Sequence, residues 1–460
     1  MISRDESILE PNSVSAGRMI EYGNLCDELH IIVLSGRKFI TSPTPSLPLE
    51  KGEGKGGGQI SKNVFIYPTS SFFKFFSIFT AYRIGKRILN DFRRKNGVVA
   101  DLPAKVLVKE GGERRESASI ITTQDPFETG LVGLWLKKKF KVGLNIQLHG
   151  DFFGNPYWRS ESFLNKIRFK IANRVIPNAD SIRVVSERIK DSLKSYHPTG
   201  DPPQGDNFPD ANGRGPSWAE NLKSKIVVAP IFTDILKIQE TQPKFNLHER
   251  FPGSPPSGDL PKGENLILLW VGKMGKVKNL SFLLKAFKYV LEAFPKAVLV
   301  LVGGGPEEER LKIEAKKLGI SDSVKFEGEQ SPRPPPVSQG EIGGVRGGDL
   351  VSYYKTADIF VFPSLYEGWG RVIIEAAAAG LPIVMADVGC AGEVIKNDES
   401  GEVVAINDME GFVRSVTKLG FNPDLRQKYK EAALQSVKNL PDKSQIFELI
   451  KKSWELCVYQ

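Results

Sequence analysis

The stretch IFVFPSLYEGWGRVIIEAAAAGLPIVMAD, residues 359–387, determines the fold that the sequence predicts. It begins and ends in short runs of β-branched and aromatic residues, which are typical of strands buried on both faces of a parallel sheet. Between them an alanine-rich segment predicts a helix that Gly380 and Pro382 stop. Strand, helix and strand form one βαβ unit, and repeated units of this kind build doubly wound sheets.

The same alternation of short apolar runs and helical stretches extends over the whole chain. Strands are predicted at 28–35, 63–67, 119–124, 145–150, 181–186, 225–230, 266–272, 297–304, 323–328, 359–364 and 381–387. The fold class that follows is α/β, with two Rossmann-like domains built on doubly wound parallel sheets. Ligands bind outside the carboxyl ends of such strands, so a two-domain chain is expected to hold its site in a central cleft that both domains face.

Segments rich in Pro, Gly and Ser interrupt this pattern and cannot build a core. We interpret them as low-complexity insertions into surface loops, at about 42–59, 198–217, 252–263 and 331–349. The predicted organisation is an N-terminal domain at 1–235, a linker at 236–264, a C-terminal domain at 265–435 and a terminal helix at 436–460.

Composition limits the class of partner. The 460 residues carry a net charge of +9 with a pI near 9.1, which favours an anionic partner. Nucleic acid is not expected, because no basic-aromatic recognition motif occurs. No apolar run approaches the roughly 18 residues of a membrane span, and the start MISRDESILE lacks a signal segment. Three scattered cysteines also fit a reducing compartment, so a cytoplasmic protein is expected.

Two glutamates in the opening stretch are the first candidates for a ligand site. Glu367 lies in a glycine-bracketed turn, and Glu375 lies in an apolar helix, where an unpaired carboxylate is costly. The turn between them, 368–370, precedes the helix, whose unpaired amides favour an anion such as a diphosphate. The spacing alone leaves a second interpretation open, in which Glu367 is solvated and Glu375 forms an internal salt bridge.

Two lysines follow the first strand of the predicted second domain. Lys273 and Lys278 stand in VGKMGKVKN at the expected ligand edge, where compact positive charges suit a phosphate. Solvated loop lysines are the alternative. Glycines 303–305 end the next strand without the spacing of a dinucleotide fingerprint, and they indicate close approach of a ligand or another backbone. A tight strand-to-helix turn is the alternative.

Together these motifs resemble a known family. VGKMGKVKN, LVGGGPEEERL, VKFEGE, residues 353–389 and GEVIKNDESGEVV look, in that order, like the retaining group 1 (family 4) glycosyltransferases of the GT-B fold, and Glu367 to Glu375 matches their E-x7-E signature. NSVSAGRMIEYG, TTQDPFETGLVG, QLHGDFFGNPYW and ADSIRVVSERIK in the first domain resemble members of the same group.

The resemblance implies roles for the second-domain residues. Glu375 is expected to accept the ribose hydroxyls of the donor nucleotide, and Glu367 to hold a hydroxyl of the transferred sugar. Lys273 and Lys278 match the family's Arg/Lys pair that neutralises the leaving diphosphate. The backbone amides lie near that diphosphate in the family; they belong to Gly368, Trp369 and Gly370.

In the first domain the resemblance implies that His149 lines the cleft near the reacting carbon, with Asp151 as a neighbour on the acceptor side; a buried structural histidine is the alternative. A glycine in the loop after the first strand approaches the donor phosphates in the family, and Gly17 is its best match. Since the sequence starts at MISRDES, most of the first strand of the family pattern is expected to be missing.

The expected activity is that of a hexosyl-type, metal-independent transferase that moves a sugar from a nucleoside-diphosphate sugar to an acceptor hydroxyl with retention. It needs no cofactor, and no metal ligands are predicted. Cell-surface polysaccharide, lipopolysaccharide or glycolipid synthesis is the expected setting, with a saccharide or lipid-linked acceptor. The basic, aromatic segment 71–95 suits an anionic membrane surface, which would place the protein peripherally on the inner face of the cytoplasmic membrane. A core-packed helix with a basic outer face is the alternative.

Two other functions stay open. A relative that binds nucleotide-sugar without catalysis would explain an insertion beside the nucleotide-base loop, after Gln330, and Cys390 at a position where glycine is common in the family. Another GT-B enzyme, such as a nucleotide-sugar epimerase, would need no acceptor.

Overall fold

The computed structural model describes residues 1–10, 13–35, 58–71, 76–95, 105–110, 113–194, 224–251, 266–328 and 347–458. The predicted insertions lie outside these ranges, apart from residues 58–59 and 347–349. The chain divides into two compact units. The first contains the described residues of Met1–Ala229 and Ser444–Gln460, and the second contains those of Pro230–Pro335 and Gly343–Lys443.

The first unit is built on an eight-stranded sheet in the order β10-β9-β8-β7-β1-β2-β4-β3, parallel except for β3 against β4. A separate antiparallel hairpin pairs β5 with β6. The strands are β1 (Ile2–Ser3), β2 (Leu29–Val33), β3 (Gly58–Ser61), β4 (Val64–Pro68), β5 (Lys105–Glu110), β6 (Glu113–Ala118), β7 (Ile120–Thr123), β8 (Gly143–Leu148), β9 (Ser181–Val184) and β10 (Ile226–Val228).

The second unit is built on a six-stranded, fully parallel sheet in the order β13-β12-β11-β14-β15-β16. Its central strands are buried along their whole length, as expected of strands covered on both faces. The strands are β11 (Ile267–Val271), β12 (Val298–Val302), β13 (Val324–Phe326), β14 (Ile359–Phe362), β15 (Ile383–Ala386) and β16 (Glu402–Val404).

Helices connect the parallel strands of each sheet, because a parallel crossover needs a long connection. Those of the first unit are α1 (Val14–Gly23), α2 (Ser77–Lys95), α3 (Glu128–Phe140), α4 (Pro156–Ser160), α5 (Phe163–Val175) and α6 (Glu187–Lys194). They are followed by α7 (Ile235–Glu240), α8 (Leu247–Arg250), α9 (Leu280–Ala293), α10 (Glu308–Leu318), α11 (Gly347–Thr356), α12 (Arg371–Ala378), α13 (Met409–Phe421), α14 (Pro423–Lys438) and α15 (Lys443–Glu455). Within the described ranges, no helix combines the length and apolar character that a membrane span requires.

The predicted α/β class is confirmed, and every strand predicted from the sequence forms. The predicted linker differs in its first part, because residues 236–251 contain α7 and α8. These helices are tied to α11 of the same unit, where the Lys355 ammonium donates to the carbonyls of Gln239 (2.8 Å) and Thr241 (2.7 Å). The domain boundaries at 235, 264 and 435 stay predictions.

The terminal helix α15 packs within the first unit. The Tyr22 ring meets the rings of Phe447 and Trp454 edge-on, each at 6.2 Å between centroids. The Asn145 amide donates to the Ser453 carbonyl at 3.4 Å. Aromatic contacts and a hydrogen bond from β8 therefore hold this helix to the sheet of the first unit.

Close backbone packing joins the ends of β11 and β12. Gly303 has φ +124°, and a Cβ built there would lie 1.9 Å from the Gly272 carbonyl oxygen. A Cβ on Gly305 would lie 2.5 Å from the Met274 carbonyl oxygen. Close approach of another backbone, one of the explanations for the glycine run, is therefore present at both positions.

We predict that Gly303→Ala destabilises the protein by about 3 kcal/mol or more, since it adds a backbone clash to a strained dihedral angle. Gly319→Ala is the matched control: Gly319 also has positive φ, +74°, but a Cβ there meets nothing within 4 Å. The control is expected to cost about 1 kcal/mol. Urea unfolding of both variants measures the difference, and equal losses would contradict the packing argument.

Candidate functional site

The candidate site lies where the loops after β11 and β14 meet at the carboxyl edge of the second sheet. The two strands are neighbours, and a backbone bond from Leu365 N–H to the Val277 carbonyl (2.9 Å) joins their loops. The Asn279 side-chain amide also donates to the Pro363 carbonyl at 3.2 Å. These bonds fix the backbone on which the predicted lysine and glutamate stand.

Lys278 and Glu367 form an ion pair across these two loops. Their side chains are 19% and 24% exposed, so the pair is partly shielded from water, and the ammonium also lies 5.3 Å from the centre of the Phe362 ring. The sequence predicted a separate ligand contact for each residue. In the structure each charge neutralises the other.

Glu375 is buried in α12, with 1% of its surface exposed. The Tyr354 hydroxyl donates to its Oε2 at 2.9 Å. The Arg371 Nε, one helical turn earlier, lies 3.3 Å from its Oε1, but that oxygen is buried and makes no hydrogen bond. The carboxylate is therefore held on one side and retains an unused acceptor on the other.

Burial raises the pKa of Glu375 to about 7. The Arg371 charge and the Tyr354 hydrogen bond act in the opposite direction but do not overcome desolvation. The group therefore changes charge near neutral pH, and hydrogen bonds from a ligand to its carboxylate form would lower this pKa.

The turn 368–370 presents backbone donors at the start of α12. Gly370 is in the left-handed region (φ +84°), where a Cβ would lie 2.6 Å from Ile373 Cδ1. Among the described residues, the N–H groups of Gly368, Trp369 and Gly370 meet no protein acceptor. Unpaired amides at a helix start form an anion site, which agrees with the sequence argument.

The Trp369 side chain lies in the core, with 1% of its surface exposed, so Trp369 contributes its backbone to the candidate site. Its carbonyl accepts a bond from Cys390 N–H at 3.0 Å, which places the loop after β15 against the turn.

Lys273 follows β11 directly and is exposed. Within the described part of the chain it forms no ion pair. It is therefore available to an anionic ligand, whereas Lys278 is already paired.

In the first unit, His149 follows β8. Its Nε2 lies 3.2 Å from the Gln147 Oε1, and the ring is half-buried. Burial, together with the smaller effects of the Arg183 and Arg18 charges, lowers the pKa of His149 to about 3. The imidazole is therefore neutral at physiological pH.

Asp151 stabilises the loop after β8. Its Oδ1 accepts the Gly154 N–H at 2.9 Å, and burial raises the pKa of this carboxyl, against hydrogen bonds from Gly154 and Ser192. These contacts give Asp151 a structural role, and its role on the acceptor side stays a prediction.

The placement of Gly17 in a loop is wrong. Gly17 lies in the first turn of α1, and its N–H donates to the Ser13 carbonyl at 3.0 Å. Ser13 caps this helix by accepting the Ala16 N–H at 3.0 Å, so the helix begins before the glycine. The amide of Gly17 is thus used within the helix.

Sequence reasoning missed the partners of Glu375. Arg371 is visible in principle, because residues four apart share a helix face. Tyr354 lies 21 residues earlier on another helix, and no periodic signal links the two. Among the described residues, no group of three or more His, Cys, Asp or Glu is arranged to hold a metal ion.

Residues 256–436 match the family model described as Glycosyl transferases group 1. This match covers most of the second unit, which is therefore similar to group 1 glycosyltransferases. An uncharacterized glycosyltransferase of Haemophilus influenzae is 35% identical over 171 residues, which cover 37% of this chain and 44% of that protein. The chain spans less than half the length of the curated relatives that it matches first.

Solved structures extend the likeness to the whole chain. Sucrose-phosphate synthase from Thermosynechococcus elongatus has a TM-score of 0.64 at 16% identity and covers 99% of this chain and 97% of its own. The Anabaena protein HepE in complex with UDP has a TM-score of 0.62 at 14% identity, with 99% and 98% covered. The predicted GT-B fold is confirmed.

We predict that Glu375→Gln removes a pH dependence from the stability of the protein. The pKa of Glu375 is higher in the folded protein than its ordinary value of 4.5, so the carboxyl contributes fully to the stability of the fold below pH 4.5. This contribution to stability is lost as pH rises through about 7. At pH 8 the variant is expected to unfold at the same or a higher temperature than the wild type, because the wild type bears a desolvation cost of up to about 3 kcal/mol. Calorimetric scans between pH 5 and pH 8 measure this, and a variant that is less stable at pH 8 would contradict it.

Proposed function

We propose that the protein is a glycosyltransferase that moves a sugar from a nucleoside-diphosphate sugar to an acceptor hydroxyl with retention. The observation that carries this proposal is the edge of the second sheet, where the Lys278–Glu367 pair and the unpaired amides of 368–370 lie in a segment that matches the group 1 glycosyltransferase model. The first unit is proposed to bind the acceptor.

The nucleotide is proposed to bind beside α12. The Oε1 of Glu375 lacks a hydrogen bond, and a ribose hydroxyl would supply one. The amides of 368–370 suit the diphosphate. UDP, which is bound in the structure of HepE, supports a uridine nucleotide as the first candidate.

The reaction breaks the bond between the anomeric carbon and the diphosphate oxygen and forms a bond from that carbon to the acceptor oxygen. The proton of the acceptor hydroxyl passes to the leaving diphosphate. Lys273, Lys278 and the turn amides supply positive charge where negative charge develops. These groups serve the purpose that a metal ion serves elsewhere, so we propose a metal-independent enzyme without a cofactor.

The Lys278–Glu367 ion pair gives the binding step a specific form. When the donor binds, its diphosphate becomes a second partner for the ammonium, and a sugar hydroxyl becomes a partner for the carboxylate. Since the pair is partly exposed, exchanging one partner for another costs little. The pair holds both side chains in place before the donor arrives, which reduces the ordering cost of binding. In the first unit, His149 is proposed to contact the substrate.

The acceptor is proposed to be a saccharide or a lipid-linked saccharide. Phe76 and Phe79 are 55% and 47% exposed at the start of α2. The same helix carries basic side chains at Arg83, Lys86, Arg87, Arg93, Arg94 and Lys95. Exposed aromatic rings beside basic residues suit an anionic membrane surface. A cytoplasmic, peripheral enzyme of cell-surface polysaccharide, lipopolysaccharide or glycolipid synthesis fits this surface.

We predict that Lys278→Met lowers the rate of sugar transfer at least about a hundredfold. The substitution removes a cation that stabilises the negative charge developing on the leaving diphosphate. Lys396→Met is the control, since Lys396 is 56% exposed and its ion-pair distance is 3.9 Å. The assay measures release of UDP, GDP or ADP from sugar nucleotides in the presence of acceptor extracts.

Three outcomes separate the candidate functions. Acceptor-dependent release supports the transferase. Donor binding without turnover over a broad panel of donors and acceptors would contradict it in favour of a binding protein, and acceptor-independent conversion of the donor sugar would favour an epimerase.

A further inference from the structure

Within the described ranges, a buried guanidinium in the first unit has no carboxylate as counterion. Arg183 on β9 is 3% exposed. Its Nη1 donates to the Gln147 Oε1 (3.2 Å) and to the Tyr22 hydroxyl (3.3 Å), and its Nη2 donates to the Ala229 carbonyl (3.3 Å). Its Nε has no partner, and none of its contacts among the described residues is a carboxylate.

Such an arrangement is costly and needs a reason. Charge-assisted hydrogen bonds are usually shorter, about 2.7–2.9 Å, so three long bonds to neutral oxygens compensate the charge poorly. Buried cations normally have a carboxylate partner. Arg168 in the same unit shows the usual solution, with its Nε 2.8 Å from the Glu128 carboxylate.

The bonds around Arg183 determine the orientation of Gln147. Gln147 is 1% exposed, its amide nitrogen donates to Thr122 Oγ1 at 2.9 Å, and its oxygen accepts from Arg183. An amide oxygen only accepts, so the His149 Nε2 that lies 3.2 Å from it carries the proton. The lone pair of the neutral ring is then on Nδ1.

We propose that Arg183 is a positioning residue that, through Gln147, holds His149 as the neutral Nε2–H tautomer, whose Nδ1 accepts a hydrogen bond from a substrate hydroxyl. This inference rests on the proposed function for the identity of the substrate. It also names the chemistry that the position accepts, which is a proton donor. A carboxylate or phosphate oxygen at the same place would face a lone pair.

The charges around the ring have the same effect. The charged groups that act on His149 are Arg183 on β9 and Arg18 on α1, both positive. The carboxyl of Asp151, two residues further along the chain, is bound within its own loop by the Gly154 N–H. Both arginines therefore disfavour the imidazolium form of His149. Keeping this ring neutral is the role that we assign to the charge of Arg183.

The test is the protonation and tautomer of His149 in the full-length chain. The protein has four histidines, so labelled imidazole nitrogens give few NMR signals, and His149→Gln identifies the right one. In the wild type we expect an Nε2–H ring that shows no protonation down to pH 5. In a titration extended below pH 5, Arg183→Met is expected to raise the pKa of His149, which burial, the larger cause, still holds below its ordinary value, whereas Arg183→Lys leaves it unchanged. Arg414→Gln, which removes an exposed charge from the second unit, is the control.

An unchanged tautomer and titration in Arg183→Met would overturn the proposal. If that variant does not fold, Gln147→Glu gives a second test, because a carboxylate there pairs with Arg183 and stabilises the imidazolium. It is expected to raise the pKa of His149 and to move the acid limb of the pH–rate profile upward by the same amount. The NMR result does not depend on turnover, so its failure is distinguishable from failure of the proposed function.

Discussion

Backbone packed against backbone at the ends of β11 and β12 is the constraint on which the second unit depends. No side-chain carbon fits between Gly303 and the Gly272 carbonyl, so the two loops approach as closely as backbones allow. The loop after β14 is then bonded to the loop after β11 through Leu365 and Val277. The positions of Lys278 and Glu367 follow from these contacts, because each side chain stands on a backbone that cannot shift alone.

Within these loops the protein pairs its own charges. Lys278 and Glu367 neutralise each other, and burial raises the pKa of Glu375 to about 7, so its carboxyl is only partly ionised at neutral pH. A ligand with a diphosphate and hydroxyl groups would replace these internal contacts with contacts of the same kind. The sheet edge is thus stable without a ligand, while an unbonded oxygen and unpaired amides remain for one.

The strands and the α/β class could be predicted from the sequence, because buried parallel strands are continuous apolar runs. The hairpin of β5 and β6 was missed, since ERRESA has none of the apolar residues that indicate a strand. The helices in the predicted linker were missed because contacts with α11 stabilise them. Contacts between segments that are distant in sequence leave no periodic signal. Gly17 was misplaced because motif matching does not show where a helix begins, whereas the Ser13 cap does.

The candidate site was predictable as a set of residues but not as a set of contacts. E-x7-E and the lysines identified the positions, and the carboxyl-edge rule placed them together. Their pairing depends on side-chain reach across loops, so neither the Lys278–Glu367 pair nor the Tyr354 bond to Glu375 could be derived. In the sequence, Arg183 is a charged residue within an apolar strand. That pattern indicates the free-energy cost of burying a charge but does not indicate which residue the guanidinium orients.

Titration calorimetry with a nucleoside diphosphate and its 2′,3′-dideoxy analogue tests the central claim, that Glu375 binds the ribose. In the wild type, loss of the two hydroxyls is expected to weaken binding about tenfold or more, since an unused acceptor is left buried. In Glu375→Ala, which removes both carboxylate oxygens, the same loss is expected to have little effect, because the shared contact is already gone. An equal weakening in both proteins would contradict the claim.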